Sequence, residues 1–173
     1  MESIIEIVII LVLILLNGFF AGAEIAIITA RRNRLEQLAE GGSRGAKTAL
    51  ELSSDANRFL STVQVGITCV GTLAATYGGV SFVRELAEAL SRSRIALISQ
   101  NGQGIALALV TGGIAFASLV LGELVPKRIA LAYAERLAAM VAMPMWLLSV
   151  VARPFVALIA TATGAVLALL RVK

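Results

Sequence analysis

Histidine is missing from this 173-residue chain, and cysteine occurs once, as Cys69. Zinc and copper sites are built from imidazole and thiolate, so a soft-metal centre is excluded, as is an internal disulfide. Cys69 lies inside an apolar run and says little about redox compartment. Charge is also scarce. Asp, Glu, Lys and Arg make up 15% of the residues, against about a quarter in a soluble domain. The net charge of +4 is small and scattered, which argues against nucleic acid as a partner. There is no nucleophile–base pair and no phosphate-binding loop, so an enzyme is not expected. Any metal bound here is expected to be a hard cation held by oxygen.

What is present is apolar. Hydrophobic residues are 58% of the chain and the mean hydropathy is +0.90, so lipid is the expected solvent. A first span runs from about 7 to 30 with Glu24 as its only internal charge. Its acidic flank (MESIIE) and its length argue for a retained span rather than a signal peptide. Residues 31–58 hold six Lys/Arg, opening with RRNR. Leu35, Leu38 and Ala39, then Ala46, Ala49 and Leu50, recur at helical spacing around GGSRG. Two short amphipathic helices joined at Gly41-Gly42 are predicted.

SSDAN (53–57) reads as a helix start, with Ser or Asp capping free amides. The 25 uncharged residues of 59–83 form a second span, expected to end near Gly78-Gly79. After the polar stretch with SRSR and SQNGQG, a third span covers 105–125. Two apolar runs follow, 137–152 and 154–170, the first interrupted by Pro144. Within 134–170 they are expected to lie along the membrane interface, with a fourth span as the alternative. The lysines and arginines follow the first span rather than precede it. The N-terminus is therefore expected outside, and residues 31–58, the segment GELVPKR and the C-terminus with Arg171 and Lys173 in the cytoplasm. The expected fold is all-α and integral to the membrane: three transmembrane helices, a cytoplasmic amphipathic hairpin and C-terminal interfacial belt helices.

Polar residues inside the spans fall on single helix faces. These are Asn17, Ala21 and Glu24 in the first span, Ser61, Gln64, Thr68 and Thr72 in the second, and Thr111, Ser118 and Gly122 in the third. They either converge on a polar cavity or serve as interhelical glue. Gly18 and Gly22, spaced as GxxxG, point to close helix packing.

The carboxylates are harder to explain as packing. A charge near the bilayer centre costs about 3 kcal/mol on the mildest insertion scale. Glu24 either pairs with an arginine of RRNR or adds negative charge to a cavity. Glu123, in GELVPK (122–127), either pairs with Lys127 one turn on or binds a cation. Pro126 favours the second reading. Its missing N–H frees the Gly122 carbonyl beside Glu123 and is expected to break the helix. A carboxylate beside freed backbone oxygen at a broken helix suits a hard cation.

NGFFAGAEIAI (17–27), STVQVGIT (61–68) and GELVPKRIAL (122–131) together resemble the membrane domain of the CNNM/CorC family, over essentially the whole chain. The resemblance implies a dimeric three-span domain of the plasma membrane with an amphipathic belt helix. It also implies a cytoplasmic CBS-domain pair, which these 173 residues do not contain. By the same resemblance the transported ion is Mg2+, exported with Na+ dependence through a cavity open to the cytoplasm. The family's site takes a serine from the first span, an asparagine from the second, and the glutamate of the GE-x-x-P motif with backbone carbonyls. Here the glutamate is Glu123, with Gly122 and Pro126 in place. The serine positions read Ala21 and Ala23, and the second-span pattern reads Gly66-Ile67-Thr68.

The expected metal set is therefore Glu123, Gly122, Gln64, Thr68, Asn17 and Glu24, with Pro126 and Lys127 shaping it. Export of a polyamine and a non-transporting scaffold for a regulatory domain are the alternatives.

Overall fold

The computed structural model describes residues 2–92, 95, 98 and 100–169. Among them there is no strand. Helix α1 spans Glu2–Thr29, α2 Arg32–Glu40, α3 Arg44–Ser54 and α4 Ala56–Ser91. Then α5 spans Gly102–Leu119, and a π-helical turn at Val120–Leu124 leads into α6 at Val125–Ala132. The last two helices are α7 at Ala134–Val151 and α8 at Arg153–Leu169. Four helical stretches are long and apolar enough to cross a membrane: Ile4–Thr29, Ala56–Ser91, Gly102–Ala132 and Ala134–Val151. The first three hold the expected spans. The fourth is α7, expected in the interface, which also has the length and apolarity of a span.

Several boundaries differ from expectation. Helix α4 does not stop at Gly78-Gly79 but runs on to Ser91. A mid-helix glycine costs only about 1 kcal/mol, and RELAEAL, which follows, is rich in strong helix formers. Ser53 and Ser54 do not cap α4. Their hydroxyls donate back to the Leu50 and Glu51 carbonyls of α3 at 2.9 and 2.6 Å. The α2–α3 hairpin is as expected, turning at Gly42 with φ +93°, a backbone conformation that suits glycine. Ser43 then caps α3 by accepting from the Ala46 N–H at 3.2 Å. Ser93, Arg94, Arg171 and Lys173, named in the sequence reading, lie outside the described residues.

The chain divides into two compact units. One comprises Met1–Ala21 and Ile67–Lys127, the other Gly22–Gly66 and Arg128–Lys173. In the first, the buried stripe of α1 is Ile10, Ile14, Gly18 and Ala21, one step of three or four residues apart. Most of the other apolar side chains in the N-terminal half of α1 are exposed, including Ile4, Ile5, Val8, Leu11, Val12 and Leu15. An exposed apolar surface of that extent marks contact with lipid. Helix α5 buries only Gly102 and Ala106, and its Gly112 and Gly113 face open space.

The second unit holds the largest fully buried side chains: Phe59, Ile27, Leu35, Met145, Val63 and Thr62. Here α3 lies on α7. Ala46, Thr48, Ala49 and Leu52 are buried on one helix, and Ala134, Ala138, Val141, Ala142 and Met145 on the other. The match of small residues lets the backbones approach. Thr48 satisfies its hydroxyl on its own helix, donating to the Arg44 carbonyl at 3.2 Å. Arg44, Lys47 and Glu51 stay exposed on the outer face of α3.

Candidate cation site

The first unit contains the GELVPK segment, and the expected helix break is not there. Instead the helix widens by one residue. The Val125 N–H donates to the Val120 carbonyl five residues back, and regular helix resumes through Pro126 to Ala132. A π-turn absorbs the proline because the ring needs room in the preceding turn, and the wider loop supplies it. The consequence expected of a break is kept, since Pro126 brings no N–H to the carbonyls one turn before it.

The Gly122 carbonyl finds its donor across the unit. Asn17 of α1 donates from Nδ2 to Gly122 O at 3.2 Å. The same amide leaves its oxygen stranded: Asn17 Oδ1 is buried and has no hydrogen-bond partner among the described residues. A buried acceptor without a donor is rare and marks a place where a ligand, a water or a cation belongs.

Two glycines let the helices meet here. A Cβ on Gly122 would stand 3.2 Å from the Ile14 carbonyl and 3.3 Å from Asn17 Nδ2. A Cβ on Gly18 would stand 2.9 Å from both the Leu121 carbonyl and Pro126 Cγ. Neither neighbour of Gly18 is the free end of a flexible chain. Gly18→Ala is therefore expected to lower stability by about 1–3 kcal/mol, read as a fall in the unfolding midpoint of the purified domain in detergent.

Glu123 emerges from the π-turn beside the Gly122 carbonyl. Its Oε1 lies 2.6 Å from Lys127 Nζ, and the glutamate side chain is still 45% exposed. Both oxygens proposed for the site at GELVPK are thus within reach of solvent or of an internal N–H donor. Thr68, on α4 in the same unit, is exposed and takes no part in this arrangement. Ser61 and Thr72 spend their hydroxyls on their own helix, donating to the Asn57 and Thr68 carbonyls. For these two the role is local rather than interhelical.

In the second unit, Gln64 is exposed and Glu24 half-buried. The expected pairing of Glu24 with RRNR is not made. Arg32 pairs instead with Glu36 at 2.9 Å, and Glu24 has no ion pair among the described residues. Ala21 and Ala23 of α1 are buried. Among the described residues no three of His, Cys, Asp and Glu come together as metal ligands. The oxygens gathered at GELVPK are therefore one carboxylate, one amide and backbone.

The meeting of Asn17 with Gly122 was not legible beforehand. Helix spacing puts Asn17 on the face of Ala21 and Glu24, and it gives no register between helices more than a hundred residues apart.

A profile of the cyclin M transmembrane N-terminal domain, CNNM, matches residues 8–173. The chain belongs to the CNNM transmembrane-domain family. It is 47% identical over 164 residues to UPF0053 protein sll0260 of Synechocystis, covering 95% of this chain and 36% of that protein. To the uncharacterized protein Rv1841c of Mycobacterium tuberculosis it is 35% identical over 175 residues, covering 100% of this chain and 48% of the relative. UPF0053 protein YhdT of Bacillus subtilis is 33% identical over 156 residues, 90% of this chain and 33% of its own length. The chain thus spans between a third and a half of these relatives. It is a multi-pass membrane domain of that family.

Proposed function

We propose that this domain carries a cation across the plasma membrane, exporting Mg2+ from the cytoplasm with Na+ as the coupling ion. The observation that carries the reading is the oxygen cluster at the π-turn. The proline-freed Gly122 carbonyl, the Glu123 carboxylate and the buried, unpartnered Asn17 Oδ1 are the donors a hard cation uses. Thr68, exposed on α4, joins the set only if the helices rearrange during transport, as alternating access requires; Gln64 and Glu24 are further oxygen ligands in this reading. Mg2+ gives up water reluctantly, so a partly hydrated ion suits a set with so few fixed ligands. The N-terminus lies outside and the α2–α3 hairpin in the cytoplasm. Helix α7, tied to the polar hairpin through α3, then lies along the interface as a belt.

The open glycines of α5 are suited to a second copy in a homodimer. A cytoplasmic CBS pair fits the length of the relatives that this chain does not cover.

The lean ligand set also favours a second reading, export of an organic polycation such as a polyamine, which needs negative charge but no octahedral geometry. Calorimetric titration of the purified domain with Mg2+, Ca2+ and spermidine separates the two. Saturable Mg2+ binding, followed by Mg2+ flux in proteoliposomes, is expected. Heat from spermidine alone would replace Mg2+ by a polyamine, and silence from all three would leave a membrane scaffold.

A further inference from the structure

Both oxygen groups of the GELVPK turn are already occupied by the chain itself. The Glu123 carboxylate accepts from the Lys127 ammonium at 2.6 Å, and the Gly122 carbonyl accepts from the Asn17 amide at 3.2 Å. We propose that Lys127 is a tethered cation that holds the site in its unloaded state, and that a transported cation enters by displacing it while the Asn17 amide turns over. The inference rests on the reading of Glu123 as an ion ligand.

The electrostatics run in one direction. With Lys127 on Glu123, the unloaded turn is neutral and does not leave a bare carboxylate at membrane depth, where a charge is costly. A divalent ion on Glu123 repels the ammonium, and the pair cannot persist beside it. Lysine suits this exchange. Its charge is compact and sits on a flexible four-carbon stem, and the side chain is 30% exposed, so an exit is open. Because Lys127 lies one helical turn from Glu123, the ammonium returns to the carboxylate as soon as the ion leaves. Release is thereby favoured, which a site built only for tight binding does not achieve.

Asn17 works on the second oxygen. In the unloaded state its Nδ2–H caps Gly122 O, and Oδ1 is buried without a partner. Half a turn about the last side-chain torsion would set Oδ1 against Gly122 O. Two carbonyl-type oxygens so placed repel one another unless a cation lies between them. The amide is therefore stable in one orientation when the site is empty and in the other when it is filled.

The test compares wild type with Lys127→Met and Lys127→Arg by Mg2+ calorimetry and by flux in proteoliposomes. Removing the internal competitor is expected to tighten Mg2+ binding about tenfold, more than a fully exposed ion pair is worth and less than an unscreened one. Turnover at saturating Mg2+ is expected to fall, and Lys127→Arg to restore weaker binding. A second readout needs no variant. The chain has four asparagines, at 17, 33, 57 and 101. With 15N-asparagine labelling, Mg2+ should move the side-chain amide signals of Asn17 and leave those of Asn33 and Asn57 in place.

If wild type binds Mg2+ and moves the Asn17 amide but Lys127→Met binds no tighter, the tethered-cation inference is wrong and the ion site stands; if the Asn17 amide does not respond, both are wrong. If Lys127→Met does not fold, the wild-type amide signals decide. If wild type binds no cation at all, both the site and the inference are lost.

Discussion

Gly45→Ala is expected to undo the packing of α3 on α7. A Cβ at position 45 would run into the carbonyl of Ala139, with the Ala139 carbonyl carbon itself only 2.9 Å away. The obstacle is backbone, held in the middle of an 18-residue helix, so no rotamer change can relieve it. The two helices must separate instead. Separation loosens the contact of Ala46 and Ala49 with α7 and the approach of Thr48 Oγ1 to Met143 Sδ, 3.9 Å apart. Alanine gains about 1 kcal/mol in helix propensity over glycine, which offsets part of the loss. The net destabilisation expected is about 3 kcal/mol or more, at the high end for one substitution. Thermal unfolding in detergent measures it, and protease cleavage within 31–58 reports where the structure opens.

Gly41→Ala is the control. Its added Cβ would meet only the Gln37 and Leu38 carbonyls, both at 3.5 Å, and φ there is −70°. It is expected to change stability by less than about 0.5 kcal/mol. Equal effects at positions 41 and 45 would sink the argument.

Glu123→Gln is expected to act on function rather than on fold. The substitution keeps the size of the side chain and one oxygen but removes the negative charge. Mg2+ is a hard ion that exchanges its tightly held water only for strong oxygen donors. With the single carboxylate of the π-turn gone, its binding is expected to weaken about a hundredfold or more, and flux to fall in step. Lys127 loses its partner, but that part-exposed pair contributes only about 1–2 kcal/mol. The variant should therefore still fold and bind lipid as wild type does. Calorimetry with Mg2+, beside an unfolding curve, separates loss of ligand from loss of structure. Unchanged flux in Glu123→Gln would remove the π-turn from the mechanism.

Long runs with almost no charge favour lipid, so three of the long apolar helices were legible from composition and length. The amphipathic hairpin was legible because Gly41-Gly42 interrupts two helical periods. The significance of GELVPK followed from proline chemistry alone: a residue without an N–H leaves a carbonyl free wherever the helix goes. Local chemistry did not say how the helix would respond. A break and a π-turn both make room for the ring, and α1 seated on Leu121 and Pro126 through Gly18 is compatible with the continuous form.

The remaining decisions were tertiary. Which side chain satisfies the Gly122 carbonyl depends on the register of α1 against the π-turn, which two glycines set by steric contact and no helical period records. That Arg32 would close a pair with Glu36 one turn on, while Glu24 makes no ion pair among the described residues, was likewise decided by the fold. The sequence by itself determined the class of this protein and the chemistry of its turn, because lipid and proline impose those on any chain. Only the tertiary structure decided which donors meet which oxygens, because hydrogen bonds between distant helices require an alignment that the packing of small residues alone provides.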